Sequence, residues 1–205
     1  MGTLYRVNGI VAPQLARAIT DFYPRATVKA EGNISFRSQV TRDLACLFDV
    51  DPDIVSWTSA TPVDDEDLDE PPFDFIIRDR FGNPKVVDAP DRARRRDAFV
   101  ATRAAEKMGC GYRGYLANEV YSGFRLKNAR DLLRYGNYEV GLNDRVRLLA
   151  ALDEHTTLTV AECLGAFQEV KPMAGLASMI LREFVQVELD DELIGPRTAV
   201  RRIAG

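Results

Sequence analysis

Between Phe73 and Ala89 the chain carries two short apolar runs, FDFIIRD and KVVDA, joined across FGNP. Apolar runs punctuated by Gly and Pro mark a tight turn, so this stretch predicts a β-hairpin over 73–89 with Gly82-Asn83-Pro84 at its tip. A hairpin alone is marginal in water and needs further strands or helices to cover it. The neighbouring sequence supplies them. Before it, Val40, Leu44, Leu47 and Phe48 share one face of a helix over Ser38–Phe48, which Asp51-Pro52 ends because the residue before proline is pushed out of the helical region. Ile54–Thr58 is β-branched and aromatic, a strand. After the hairpin, a helix from about Arg94 to Met108 has a narrow face of Ala101, Ala104, Ala105 and Met108, closed by Gly109. A short strand around Tyr112–Leu116 follows. The order α-β-β-β-α-β predicts an α/β fold, a mixed sheet flanked by helices.

Upstream, Pro13 suits the first turn of a helix over 12–22 with Leu15, Ala18, Ile19 and Phe22 on one face. The polar run RATVKAEGNISFRSQ is a connection. Six acidic residues between Asp64 and Glu70 lack the ligand spacing and turn glycine of a calcium loop, so they predict a solvated loop.

From Phe124 the pattern changes. LKNARDLLRY predicts a helix exposing Arg125, Lys127, Arg130 and Arg134, followed by the turn GNYEVGLN. A helix over Arg145–Leu152 comes next. Thr159-Val160-Ala161-Glu162 is a capping box opening another, with Val160, Cys163, Leu164 and Phe167 on one face. The helix MAGLASMILREF leads into a hairpin in which Val185, Val187 and Leu189 alternate with polar residues, its loop near Asp190–Gly195. Three helices and a hairpin outline a winged helix-turn-helix. The 205 residues thus divide into 1–123 and 124–205.

Composition excludes more than it assigns. A formal net charge of −4 gives no whole-chain attraction to nucleic acid or to acidic membranes, so any such binding rests on local basic patches. Cys46, Cys110 and Cys163 stand far apart and His155 is the single histidine, so a zinc site is hard to assemble and the cysteines are expected as core residues in a reducing compartment. No apolar run reaches the length of a membrane span and no signal-peptide pattern opens the chain, so a cytoplasmic location is expected.

The residues from 42 to 57, RDLACLFDVDPDIVSW, resemble the signature of the TnsA family of transposon endonucleases. FDF stands for that family's Pro-Asp-Phe, KVVDAP for its Glu-x-Lys strand, and GYRGYLANEVYSGFRLKNARDLLRY for the segment entering its second domain. The similarity runs from about Ser38 through the C-terminal portion. It implies a restriction-endonuclease-like domain over 1–123 and a winged-helix-like domain over 124–205. A metal-dependent phosphodiesterase holds its cation with acidic groups, lowers the pKa of a bound water and uses a lysine to orient it. Position by position, Asp74 matches the metal-binding Asp. Thr41 stands at the helix acid, with only Arg37 and Ser38 one turn earlier. Val87 and Ala89 fill the Glu-x-Lys slot anchored by Pro90, and a one-residue slip puts Asp88 at the acid but Pro90 at the lysine. Neither register supplies the lysine.

The resemblance therefore implies a nuclease fold without its nuclease: no catalytic residues, no metal and no cofactor, with Thr41, Asp74, Val87 and Ala89 as vestiges. The expected partner is duplex DNA, bound with little sequence preference through arginine forks that suit phosphates. The candidates are Arg92, Arg94, Arg95 and Arg96 after the hairpin, Arg197, Arg201 and Arg202 on the wing, and Arg182, with Ser178, on the third helix. Two alternatives stand beside this. A divergent endonuclease would borrow Glu31, Asp79, Asp88 or the 64–70 loop as ligands and Lys85 as its lysine. A protein adaptor of a transposon- or phage-like nucleoprotein complex would need no DNA contact.

Overall fold

The computed structural model describes residues 22–59 and 73–203; the helix expected over 12–22, up to Asp21, and the acidic loop lie outside them. Helix α1 (Gln39–Val50) is N-capped by Ser38, whose hydroxyl accepts from Thr41 N–H. Strands β1 (Ile54–Ser59), β2 (Phe75–Asp79) and β3 (Pro84–Asp88) form an antiparallel meander. Next come a one-turn helix α2 (Pro90–Ala93), helix α3 (Ala98–Lys107) and β4 (Gly111–Gly114), which pairs parallel with β3. The sheet order β1-β2-β3-β4 makes a mixed α/β layer, as the α-β-β-β-α-β order predicts.

Several boundaries differ from the sequence reading. The long helix expected from Arg94 starts at Ala98, because Asp97 accepts from Phe99 and Val100 N–H and so caps it there. Of the four face residues only Ala101 and Ala105, one turn apart, are buried; Ala104 and Met108 are exposed. The last strand, expected around Tyr112–Leu116, ends at Gly114, and residues 117–121 form a short helix, α4 (Ala117–Tyr121), that the sequence pattern did not indicate. The hairpin tip is built by Asp79, whose carboxylate accepts from Phe81 and Asn83 N–H while Gly82 takes a left-handed φ of 80°.

The two faces of the sheet are sorted by strand parity. Phe75, Ile77 and Val87 join Trp57 and α1 in the larger core, and Val86 joins Phe73, Ala101 and Ala105 in a smaller one. Phe48 and Trp57 each meet Phe75 edge-on, at 5.3 and 5.7 Å. Each such pair adds about 0.5–1.5 kcal/mol beyond its burial. Three charged residues are buried within α1, Arg42, Asp43 and Asp49, and the first and last of them hold the preceding segment. Arg42 donates to the carbonyls of Pro24 and Ala26, and Asp49 accepts from Val28 and Lys29 N–H and from the Trp57 indole. They pin the polar segment before α1 against the open edge of β1, where Lys29 O accepts from Trp57 N–H and Glu31 N–H donates to Trp57 O. The connection is therefore an ordered edge cover.

Helix α5 (Arg125–Leu133) packs on α1, and its buried Asn128 donates to the carbonyls of Leu189 and Glu192 and accepts from Ile194 N–H. Beyond it lie α6 (Leu142–His155), β5 (Thr157–Thr159), α7 (Val160–Cys163), a single 3₁₀ turn (Leu164–Ala166), α8 (Pro172–Leu181), β6 (Val185–Val187) and β7 (Ala199–Arg202). The three strands form one antiparallel sheet in the order β5-β7-β6. β5 was not expected from the sequence, and the loop between β6 and β7 spans 188–198 because Leu189 turns inward to the larger core. Helix α8 is buried on both sides. Ala177 and Leu181 enter the larger core, and Leu176 and Met179 the core of α6, β6 and β7. Gly175 makes this close packing possible, since a Cβ there would meet the Phe167 ring at 2.4 Å.

Candidate functional site

The hairpin register decides what faces Asp74. Phe75 pairs with Val87, so one further step along the ladder sets Asp74 opposite Asp88. Val87 and Ala89 belong to the larger core on the other face, and both are fully buried there. They are packing residues, one position off the acid. Thr41 is likewise occupied, because its hydroxyl donates to Ser38 O and accepts from Ser38 N–H to close the first turn of α1. Lys85 has the parity of Val87, and its ammonium sits 3.4 Å from Asp79 at the far end of the hairpin.

What surrounds Asp74 is arginine. Arg37 Nε and Nη2 donate to its two oxygens at 2.7 and 3.0 Å. Arg92 Nε lies 3.2 Å from Asp74 Oδ1 and 4.0 Å from Asp88 Oδ1, and Ala89 N–H donates to Asp74 Oδ2 at 2.8 Å. Arg37 also forks onto Asp91, with both bonds at 2.6 Å. Arg96 Nη1 is 3.4 Å from Asp88 Oδ2, to which the Tyr112 hydroxyl donates at 3.2 Å. The charges therefore alternate in one chain: Arg96, Asp88, Arg92, Asp74, Arg37, Asp91. Sequence order explains the assembly. Arg37 precedes the N-cap of α1, Asp74 immediately precedes β2, Asp88 closes β3, and α2 brings Asp91 and Arg92 back over the strand ends.

The electrostatics follow this arrangement. Burial pushes the Asp88 carboxyl up, Arg96 opposes that, and the neighbouring Asp74 charge adds to it. Burial also disfavours the Arg37 charge, but the hydrogen bonds and charges of Asp74 and Asp91 outweigh it and leave its pKa above the ordinary value. Tyr112 is pushed up to about 12, first by burial and then by Asp88. Asp74 and Asp88 are the donor set that a divalent cation would need. The guanidinium of Arg92 lies against both and that of Arg37 covers Asp74, so these residues do not fit a metal ion. Among the described residues no group of three or more His, Cys, Asp or Glu is placed to hold one.

The arginines proposed from the sequence fall into two kinds. Arg92 is buried in the charge chain and Arg96 is half-buried, lying over the Phe73 ring at 5.2 Å. Arg94 and Arg95 are exposed, and Arg95 Nε donates to Asp91 O. Arg37, Arg92, Arg95, Arg96 and Asp97 line an open hollow of about 440 Å³. Arg197, in the loop before β7, and Arg201, on β7, are exposed without an ion pair among the described residues, whereas Arg202 pairs with Asp153. Arg182 is exposed at the end of α8 and donates to Ser178 Oγ, which is itself buried and unavailable to a base edge. The expected stripe on α5 is also tethered: Arg125 pairs with Asp190, and Arg130 with the buried Asp43. Cys46 and Cys163 are buried and Cys110 is part-exposed.

From the sequence Arg37 is only the residue present where an acid is missing, Asp91 only a neighbour that balances the arginine run, and Tyr112 and Arg145 have no site role. The one available signal was the arginine and aspartate density of DRARRRD directly after a strand. No model of a known family matches the chain, and no curated protein sequence is similar to it.

Proposed function

We propose that this chain is a non-catalytic DNA-binding protein on a nuclease-derived fold, contacting phosphates with little sequence preference. The observation that carries it is the Arg37 and Arg92 guanidinium pair against Asp74 and Asp88, where the TnsA resemblance puts a cation. Further support comes from the element order α1-β1-β2-β3-α3-β4 with β4 parallel to β3, which matches a restriction-endonuclease-like core, and from α6, α7, α8 with the β5-β7-β6 sheet, which matches a winged helix. In a winged helix the third helix reads bases. Here α8 is enclosed, so phosphate contact falls to Arg94, Arg95, Arg197 and Arg201. Phosphate contacts position a protein on a duplex without reading its sequence.

The test has two arms. Duplex DNA titrated by fluorescence anisotropy should bind with similar affinity across unrelated sequences and weaken steeply with salt. Supercoiled plasmid with magnesium or manganese should stay intact. Nicking that disappears in Asp74→Ala would overturn the non-catalytic reading, and salt-independent or absent DNA binding would overturn the other half. A second reading, a protein adaptor, is favoured by the outer face of α3, where Phe99 and Val100 are 69% and 62% exposed and Arg103 lies over the Phe99 ring.

A further inference from the structure

A second cationic cleft lies away from the charge chain, between α6 and the end of α8. Its volume is about 320 Å³, and Arg145, Ser178, Arg182 and Phe184 form its working wall. Arg145 lies over the Phe184 ring, 5.0 Å from its centroid. Its Nε–H is closed off from solvent and has no acceptor. Arg182 is held from behind: Nη1 donates to Ser178 Oγ at 2.9 Å, and the Ser178 hydroxyl donates to Tyr138 O at 2.8 Å. Neither guanidinium forms an ion pair with a described carboxylate, unlike Arg37, Arg92 and Arg96. Glu139 lines the cleft but lies beyond ion-pair distance of both. The cleft shares Glu139 and Arg182 with a larger open groove of about 570 Å³ that also takes in Lys29 and Asn137.

Two guanidiniums that no described carboxylate neutralises line this one cleft, and such a pair gains by donating to an oxyanion. Arg forks bind planar or tetrahedral oxyanions bidentately. A phosphate has oxygens enough to take both forks at once, which a single carboxylate with two oxygens does poorly. We propose that this cleft is a phosphate-binding site built from Arg145 and Arg182, with Ser178 as the positioning residue of Arg182. Its phosphate comes either from a nucleic-acid backbone laid along the adjoining groove or from a free phosphorylated small molecule. The site is separate from the four arginines assigned to DNA above, and of its residues the sequence had singled out only Arg182 and Ser178.

The full chain is titrated calorimetrically with inorganic phosphate, with a short duplex and, as the carboxylate control, with succinate. Phosphate should bind once per chain, and Arg145→Gln and Arg182→Gln should each weaken it by about 10-fold or more, the value of one charged hydrogen bond. If free phosphate does not bind but both variants weaken the duplex, the site stands and its phosphate belongs to the polymer. The site is overturned if phosphate and duplex affinities are unchanged in both variants, or if succinate binds as tightly as phosphate. Arg182 is exposed, so its variant keeps the test valid should Arg145→Gln fail to fold. The inorganic-phosphate arm uses no DNA, so phosphate binding that is lost in Arg145→Gln and Arg182→Gln stands even if no duplex binds, which separates failure here from failure of the DNA reading.

Discussion

Removing one carboxylate distinguishes a metal site from a site already filled by arginine. Consider Asp74→Ala. In a carboxylate pair awaiting a cation, deleting one acid relieves repulsion and raises the stability of the metal-free protein. In the arrangement here Asp74, with its side chain 2% exposed, takes two bonds from Arg37 and one from Ala89 N–H and lies 3.2 Å from Arg92. Its loss takes a carboxylate away from Arg92, whose side chain is 8% exposed, and leaves the fully buried Ala89 N–H without its acceptor. Breaking a buried pair costs about 3–5 kcal/mol. The lower end applies, because Arg37 keeps Asp91 and reaches solvent with 26% of its side chain. A loss of about 3 kcal/mol corresponds to a fall in Tm of roughly 6–12 °C for a chain of this size. The single tryptophan, Trp57, is buried in the core that adjoins the hairpin, so urea unfolding followed by its fluorescence reads the change directly. Asp74→Asn, which retains one acceptor, should lose less. Unchanged or increased stability in Asp74→Ala would refute the arginine-filled site.

Three further outcomes are expected. Replacing Arg94, Arg95, Arg197 and Arg201 by Ala should lower the slope of log K against log salt for duplex DNA by about 0.9 for each phosphate no longer neutralised, whereas Arg202→Ala, which breaks a pair with Asp153, should change it less. Asp88 has a raised folded-state pKa, so its contribution is fully present below the unfolded value, about 3.9, and is lost as pH rises through the folded one; Asp88→Asn should therefore gain stability relative to the native chain between acid and neutral pH, as urea midpoints measured across that range would show. Asn128→Ala strands two carbonyls and one N–H of the 188–198 loop and should cost about 1–3 kcal/mol, with hydrogen exchange at Ile194 accelerating first.

Periodicity and turn chemistry carried the sheet. The parity of FDFIIRD and KVVDA, the Gly82 turn and the Pro52 stop place β1 to β3 and α1 to within a few residues. Where side-chain capping sets an end, the sequence pattern overran: Asp97 starts α3 four residues after Arg94, and no apolar signal marks that choice. β5 is three residues long and gains its place only by pairing with β7, a non-local event. The alternation of Val185, Val187 and Leu189 suggested a longer strand, yet Leu189 leaves the sheet for the other core. The candidate site was half legible. Asp74 and the basic run after the hairpin could be named, but which of Val87 and Asp88 faces Asp74 is a matter of register, and a one-residue slip exchanges the faces. That Arg37 reaches Asp74 across 37 positions has no trace in local pattern at all.

Under the proposed nuclease-derived reading, the same register accounts for a loss of hydrolytic chemistry while the acids remain. Two buried carboxylates on neighbouring strands repel, and the cost falls on the fold unless a cation sits between them. A divalent ion meets that need and also keeps coordination positions for water, whose pKa it lowers. A guanidinium meets the need with a covalently tethered charge and five fixed donors, but it has no position for water and no Lewis acidity. Arg37 and Arg92 therefore satisfy Asp74, while Asp88 has Arg96 at 3.4 Å, the Tyr112 hydroxyl at 3.2 Å and Arg92 Nε at 4.0 Å, too little to offset the burial that pushes its carboxyl upward. With Pro90 opening α2 where the resemblance would put a lysine two residues after Asp88, the hairpin keeps its charge balance through arginine. What is left exposed is the arginine surface, which in the proposed function contacts phosphate without cutting it.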